Sequence, residues 1–98
     1  MKIYLDDTRP APEGWELVLW PKEAIEHLKT GAVTHLSLDH DLGNDARGTG
    51  YDVILWLEEA VVRQDFRPPA IMRVHSANPV AKKRMEAGLT RIRQLANM

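Results

Sequence analysis

Leu36-Ser37-Leu38-Asp39-His40-Asp41-Leu42-Gly43 is a short apolar alternation that runs straight into three ionisable residues and then towards a glycine-rich loop. A buried parallel strand whose carboxyl end opens into a site has this order. In open α/β sheets, ligands bind just beyond the carboxyl ends of the strands. Asp39 is expected as the last residue of the strand, with His40 and Asp41 leading the loop. Two other stretches end the same way. Ile3-Tyr4-Leu5 runs into Asp6-Asp7, and Ile71-Met72-Arg73-Val74 runs into His75-Ser76-Ala77-Asn78. Polar chemistry at three strand ends points to one composite site.

Working outward, Lys2 to Leu5 reads as a first strand, followed by a loop that Pro10, Pro12 and Gly14 keep irregular. Trp15 to Trp20 alternates weakly, as a second strand would. Pro21 then suits the first position of a helix, where its missing N–H costs nothing. Ala24, Ile25 and Leu28 share one face of that helix, and Gly31 stops it. Thr34 to Asp39 is the third strand. The glycine-rich run 43–50 predicts a flexible or ligand-shaped loop. Thr49 and Asp52 have capping-box spacing for a helix from Gly50 to Gln64, with Val53, Ile54, Leu57 and Val61 as its buried stripe. Arg67-Pro68-Pro69 breaks the chain before a strand from Ala70 to Val74. Asn78-Pro79 then caps a last helix carrying Ala81, Met85, Leu89, Ile92 and Leu95 on one side. Right-handed crossovers turn this alternation into a parallel sheet of order 2-1-3-4 with helices on its faces. Residues 1–98 form a single α/β domain, and Asp6-Asp7 meets Asp39 at the switch point of the sheet.

The composition bounds the chemistry. A chain of 98 residues, 44% hydrophobic and 28% charged, has room for one modest core. It has no cysteine, which excludes disulfides, thiolate catalysis and Cys-ligated zinc and fits a reducing, cytoplasmic setting. There is no secretory signal pattern, and no apolar run approaches the ~20 residues that span a bilayer. Charge is unevenly spread: residues 1–66 carry six basic against thirteen acidic side chains, whereas residues 67–98 carry seven basic against Glu86 alone. The acidic part would attract a cation. The basic part reads either as a solvated helix face or as a surface turned towards phosphate or RNA.

Carboxylates crowded at neighbouring strand ends need a positive partner or a proton. A divalent cation answers that need; hard oxygen donors without cysteine favour Mg²⁺ or Mn²⁺, and a histidine ligand would shift the preference to Mn²⁺ or Zn²⁺. Asp6, Asp7, Asp39 and Asp41 are the candidate metal ligands, with His40 or His75 as further donors. Without an ion, Asp6, Asp7 and Asp41 would cap loops, and Asp7 would pair with Arg9. His40 and His75 are candidate acid–base groups, whereas His27 and His35 read as structural. Ser76 and Asn78, beside the N–H groups that open the last helix, are candidate phosphate contacts. Ser76 has no triad spacing for a nucleophile. Asp39-x-Asp41-x-x-x-Asp45 is not a calcium loop, because the twelfth position is Gly50 and not glutamate.

On these residues the chain resembles a response-regulator receiver domain, which implies a small flavodoxin-like parallel sheet. Asp6-Asp7 matches the metal-binding acidic pair of that family, Asp39 its phosphoacceptor, and Ser76 its phosphate-contacting hydroxyl. Four stretches in order bring the likeness closer to a divergent branch of bacteria and phages, the cyclic-phosphate processing receiver-like domains: Leu5-Asp6-Asp7-x-Arg9-x-Pro, Ser37-Leu38-Asp39-His40-Asp41-Leu42-Gly43, Gly50-Tyr51-Asp52 and His75-Ser76-Ala77-Asn78-Pro79. Departures from a signalling receiver accompany the likeness. The proline loop replaces the first helix, no fifth strand brings the usual lysine, and His40 and His75 are added. The resemblance implies a metal-dependent phosphoesterase acting on a cyclic phosphate of a nucleotide or RNA end. Asp39, His40 and His75 would be catalytic, and Ser76, Asn78 and Arg9 would hold phosphate oxygens. A receiver-like module that binds a cyclic nucleotide or protein without turnover is the alternative, and a phosphorylatable, truncated receiver a third.

Overall fold

Period-two alternation sets the sheet. Ile3 and Leu5, Leu36 and Leu38, and Met72 and Val74 are buried on one side of their strands, while Lys2, Tyr4, His35, Ile71 and Arg73 alternate with them. The computed structural model describes residues 1–41 and 48–97; the expectations for Leu42 and for the glycine-rich run at 43–47 lie outside them. Its elements are β1 (Lys2–Leu5), β2 (Glu16–Val18), α1 (Pro21–Lys29), β3 (His35–Leu38), α2 (Gly50–Gln64), β4 (Ile71–Val74) and α3 (Pro79–Ala96). All four strands pair in parallel, in the order β2-β1-β3-β4. The strand order, the first and second helix starts and the two capping signals are as the sequence predicts; β2 is shorter, at Glu16–Val18.

The crossovers β2-α1-β3 and β3-α2-β4 run in the same direction across the sheet, so right-handedness sends both helices to one side. Accordingly α1 packs on α2 and α2 on α3. A single core then joins Ala24 and Leu28, Val53, Ile54 and Leu57, and Met85, Leu89 and Ile92 to the buried strand residues. The β1–β2 connection would carry a helix to the opposite side, but Pro10, Pro12 and Gly14 make it a loop. That side is covered instead by Trp15, whose ring meets Tyr4 and His35 edge to face at 6.1 and 5.8 Å.

Local chemistry fixes the element ends. Thr49 accepts from the N–H of Tyr51, and Asp52 accepts from the N–H of Thr49, closing the capping box of α2. Asp65 ends α2 in the left-handed conformation, at φ 55°. Gly50 starts α2 directly against the backbone carbonyl of Asp39, a place where any Cβ would collide. A close approach of strand end and helix start is therefore built into the fold.

Candidate functional site

The ladder continues one residue past the regular strands. Asp39 N–H donates to Leu5 C=O and His75 N–H to Leu38 C=O, so Asp6, Asp39 and His75 form the next row across β1, β3 and β4. Adjacent strands lie about 4.8 Å apart, and alternation turns all three side chains to the side of the sheet opposite the described helices. One ligand atom from each of the three residues lies within 4.8 Å of the others. The convergence follows from register and needs no loop rearrangement.

Asp6 is fully buried, and the following loop is folded around its carboxylate. Oδ1 accepts from the N–H of Thr8 at 2.9 Å, the N–H of Arg9 at 3.0 Å and the Thr8 hydroxyl at 3.3 Å. Oδ2 accepts from Arg9 Nη1 and from His75 Nε2, each at 3.0 Å. Burial pushes the carboxyl up, but these donors outweigh it and hold it down at about 2. Arg9 Nη1 also lies 3.7 Å from Asp39 Oδ2, so its guanidinium sits between the two carboxylates. Asp39 receives the N–H of His40 at 2.8 Å on Oδ1. Burial dominates there and raises its pKa, with the Asp6 charge adding to the rise.

His75 is held on three sides. A carboxylate can only accept, so Nε2 carries the proton towards Asp6, and Nδ1 accepts from the Ser37 hydroxyl at 2.7 Å. The Tyr4 ring stacks on the imidazole at 4.1 Å with an interplanar angle of 4°. Burial lowers the pKa of His75 against the opposing pull of Asp6, which favours the neutral ring. Ser37 was no candidate by sequence, although Leu36-Ser37-Leu38 carried the signal. A serine between two core leucines must face the other side of the sheet, beside Tyr4 and Arg73 of the flanking strands.

The other candidates are placed around this row. Asp7 is exposed and does not join the cluster. Asp41 is exposed and accepts from His40 Nδ1 at 2.8 Å, so the two form a dyad beside the row and outside the three-residue cluster. Ser76 is buried, and its hydroxyl oxygen accepts from the N–H of Asn78 at 3.1 Å. Asn78 caps α3, its side-chain oxygen accepting from the N–H groups of Val80 and Ala81. Those donors are therefore already partnered. Of the C-terminal basic residues, Arg93 donates to Met72 C=O, Arg91 pairs with Glu58, and Arg84 and Arg73 lie over the rings of Tyr51 and Trp15.

The donor set fits a divalent cation that takes both oxygen and nitrogen ligands: two carboxylates, that of Asp39 with its pKa raised by burial and by the Asp6 charge, and one imidazole on the same face. Arg9 supplies part of the positive charge from a partly exposed side chain, its Nη1 also donating to the His75 carbonyl at 3.4 Å. A cavity of about 370 Å³ opens beside the row, lined by Tyr4, Pro12, Trp15, Ser37, Arg73 and His75. A larger one, about 520 Å³, lies by Ala70 and Asn97 towards the opposite strand ends and is lined by no carboxylate or imidazole. Among the described residues, no helix is long and apolar enough to cross a membrane.

Comparison with curated proteins and with solved structures gives no match. The family model described as the cyclic-phosphate processing receiver domain matches residues 1–91. With the parallel sheet in receiver order and the acidic row at its strand ends, the chain belongs to the cyclic-phosphate processing receiver domains.

Proposed function

We propose that the chain is a metal-dependent phosphoesterase that opens a cyclic phosphate. The observation that carries this reading is the row of Asp6, Asp39 and His75 on one face, with Arg9 between the two carboxylates. Asp6, Asp39 and His75 Nε2 would hold Mg²⁺ or Mn²⁺, with Asp7 and Asp41 contributing charge from outside. A divalent ion bound there supplies Lewis-acid polarisation of the phosphoryl group.

The residues themselves divide the remaining work. Were a cation held by Nε2, His75 would carry its proton on Nδ1 and donate it to Ser37 Oγ, an outer partner that would fix the ring orientation. His40 is then the imidazole left for proton transfer. Asp41 accepts its Nδ1–H and orients it, which leaves the Nε2 lone pair to take a proton from water as the new P–O bond forms and to return it to the ring oxygen once the cyclic P–O bond breaks. Arg9 binds phosphate oxygens. Ser76 offers its hydroxyl proton to the same group, and Asn78 contributes by holding the start of α3 in place.

A second reading, a module that captures a cyclic phosphate without turnover, has one observation in its favour. Arg9 bridges Asp6 and Asp39 and places a fixed positive charge where an anionic phosphate would lie. A ³¹P NMR time course separates the two, using 2′,3′-cyclic and 3′,5′-cyclic nucleotides with and without Mg²⁺ or Mn²⁺. The phosphoesterase reading predicts metal-dependent ring opening that Asp39→Ala abolishes. Ligand resonances that broaden on binding but never convert, over a day at high protein concentration, would replace it with the module.

A further inference from the structure

Among the described residues, β4 has no strand on its outer edge. Ile71 and His75 donate inward along the ladder, to Thr34 C=O and Leu38 C=O, so alternation turns the N–H and C=O of Met72 and Val74 outward. On that side Arg93 Nη2 takes the Met72 carbonyl at 2.6 Å, and no described residue takes the N–H of Met72 or of Val74. An edge of this kind is a template for another extended chain. The cavity of about 520 Å³ lies along it, with Pro69, Ala70 and Met72 on the strand side and Arg93 and Ala96 on the α3 side. Arg67, exposed, lines the same cavity, and no described carboxylate does.

We propose that this groove takes an extended acidic segment of a partner protein, added to β4 as a further strand. The outward backbone groups select a peptide, because strand-edge grooves bind by main-chain hydrogen bonds and a nucleic acid has no matching ladder of amides. The guanidiniums select the sign of charge. Arg67 and Arg93 belong to residues 67–98, which carry seven basic side chains against Glu86 alone. Arg93 serves both selections. An incoming N–H that takes over the Met72 carbonyl releases the guanidinium to pair with a carboxylate of the incoming strand, exchanging a neutral acceptor for a charged one. Until then Arg93 closes the edge and hinders β4 from pairing with a second copy of itself. The groove lies towards the strand ends opposite Asp6, Asp39 and His75, so it is independent of the phosphate-ester reading.

The experiment is a ¹H–¹⁵N NMR titration of the full chain with two synthetic probes. One is an acetylated, amidated hexapeptide of alternating valine and glutamate; the other has lysine in place of glutamate. The glutamate peptide is expected to move the backbone signals of Met72 and Val74 and the side-chain signal of Arg93, and to leave Asp6, Asp39 and His75 in place. It should bind roughly tenfold or more tightly than the lysine peptide. Replacing both guanidiniums, by Arg67→Gln with Arg93→Gln, should remove most of that difference. Should the double variant fail to fold, Arg67→Gln alone should weaken the glutamate peptide about two- to fivefold, as loss of an exposed ion pair does. Equal binding of the two peptides, or a moved Arg93 signal with Met72 and Val74 unmoved, would overturn the proposal, as would no shift at millimolar peptide. Tighter binding of oligouridylate at the same signals would make the groove a nucleic-acid surface instead. Met72 and Val74 shifts that grow with protein concentration alone would give the edge to a second copy, and either result overturns the peptide site.

Discussion

Asp6 and Asp39 face each other across one strand spacing, yet their environments push them in opposite directions. The carboxyl of Asp6 is depressed to about 2 from an ordinary 3.8, so the unfolded chain holds a proton that the fold releases in that interval. Its stabilisation is complete above the ordinary value and is lost as pH falls towards 2. Asp6→Asn should therefore cost about 2 kcal/mol at pH 7, the loss of charge-assisted hydrogen bonds, in urea melts whose gap from wild type narrows below pH 4. Asp39 is raised, mainly by burial, so the fold binds its proton more tightly than the unfolded chain does and the ionised form costs stability at neutral pH. Asp39→Asn should raise the Tm of chelator-treated protein at pH 7 by on the order of 4 °C, the effect of about 1 kcal/mol in a domain of this size. The gain should vanish as pH approaches the carboxyl range. The two histidines divide by readout: His40→Ala should lower turnover by roughly 10²–10⁴-fold with metal affinity intact, whereas His75→Ala should weaken metal binding itself. Equal loss of metal affinity in both variants would remove this division. Asp6, Asp39 and His75 were legible in the sequence because each follows an apolar alternation at a strand end. Arg9 was legible as a cation but not as the bridge between two carboxylates, since the turn that folds around Asp6 sets its position. Ser37 and Trp15 were not, because their partners lie on other strands.

At the scale of elements, the site depends on how closely α2 starts behind Asp39. Gly50 is there because a Cβ would strike the Asp39 carbonyl, and Met85 of α3 closes the same space. Gly50→Ala should destabilise the protein by about 1–3 kcal/mol, the cost of overpacking, and should displace the backbone that holds Asp39 and His40. Denaturant unfolding with ¹⁵N shifts of residues 39–41 checks both effects; a variant as stable as wild type with unmoved shifts would contradict the close-packing account. The boundaries of α2 and α3 were readable because they rest on local chemistry, the Thr49–Asp52 box and the Asn78-Pro79 cap. The same locality explains what was not readable at Asn78. Its residue type fits a cap and a phosphate contact equally, and only the fold shows its oxygen engaged by Val80 and Ala81. Likewise β2 was overestimated, because only Glu16 to Val18 find partners on β1.

Over the whole molecule, one topological substitution links fold and function. A loop stands where a helix would cover the second side of the sheet, so all three described helices lie on the other side and the strand-end row opens onto an aromatic surface. The strand order followed from alternation and crossover handedness, which is why it was legible. The bare side was not, since it depends on which way each connection crosses. Binding of a cation to the folded state alone should stabilise it by mass action, by about 2.7 kcal/mol at a hundredfold excess over Kd. The central claim is that Asp6, Asp39 and His75 form a single cation site, with Asp7 and Asp41 outside it. Its most direct test is an electron paramagnetic resonance titration of Mn²⁺ into the wild-type chain and into Asp39→Asn, His75→Ala, Asp7→Asn and Asp41→Asn. The account predicts one bound ion per chain, with affinity weakened tenfold or more in the first two variants and little changed in the last two. No bound ion, or an ion whose affinity follows Asp7 and Asp41 and ignores His75, would contradict it.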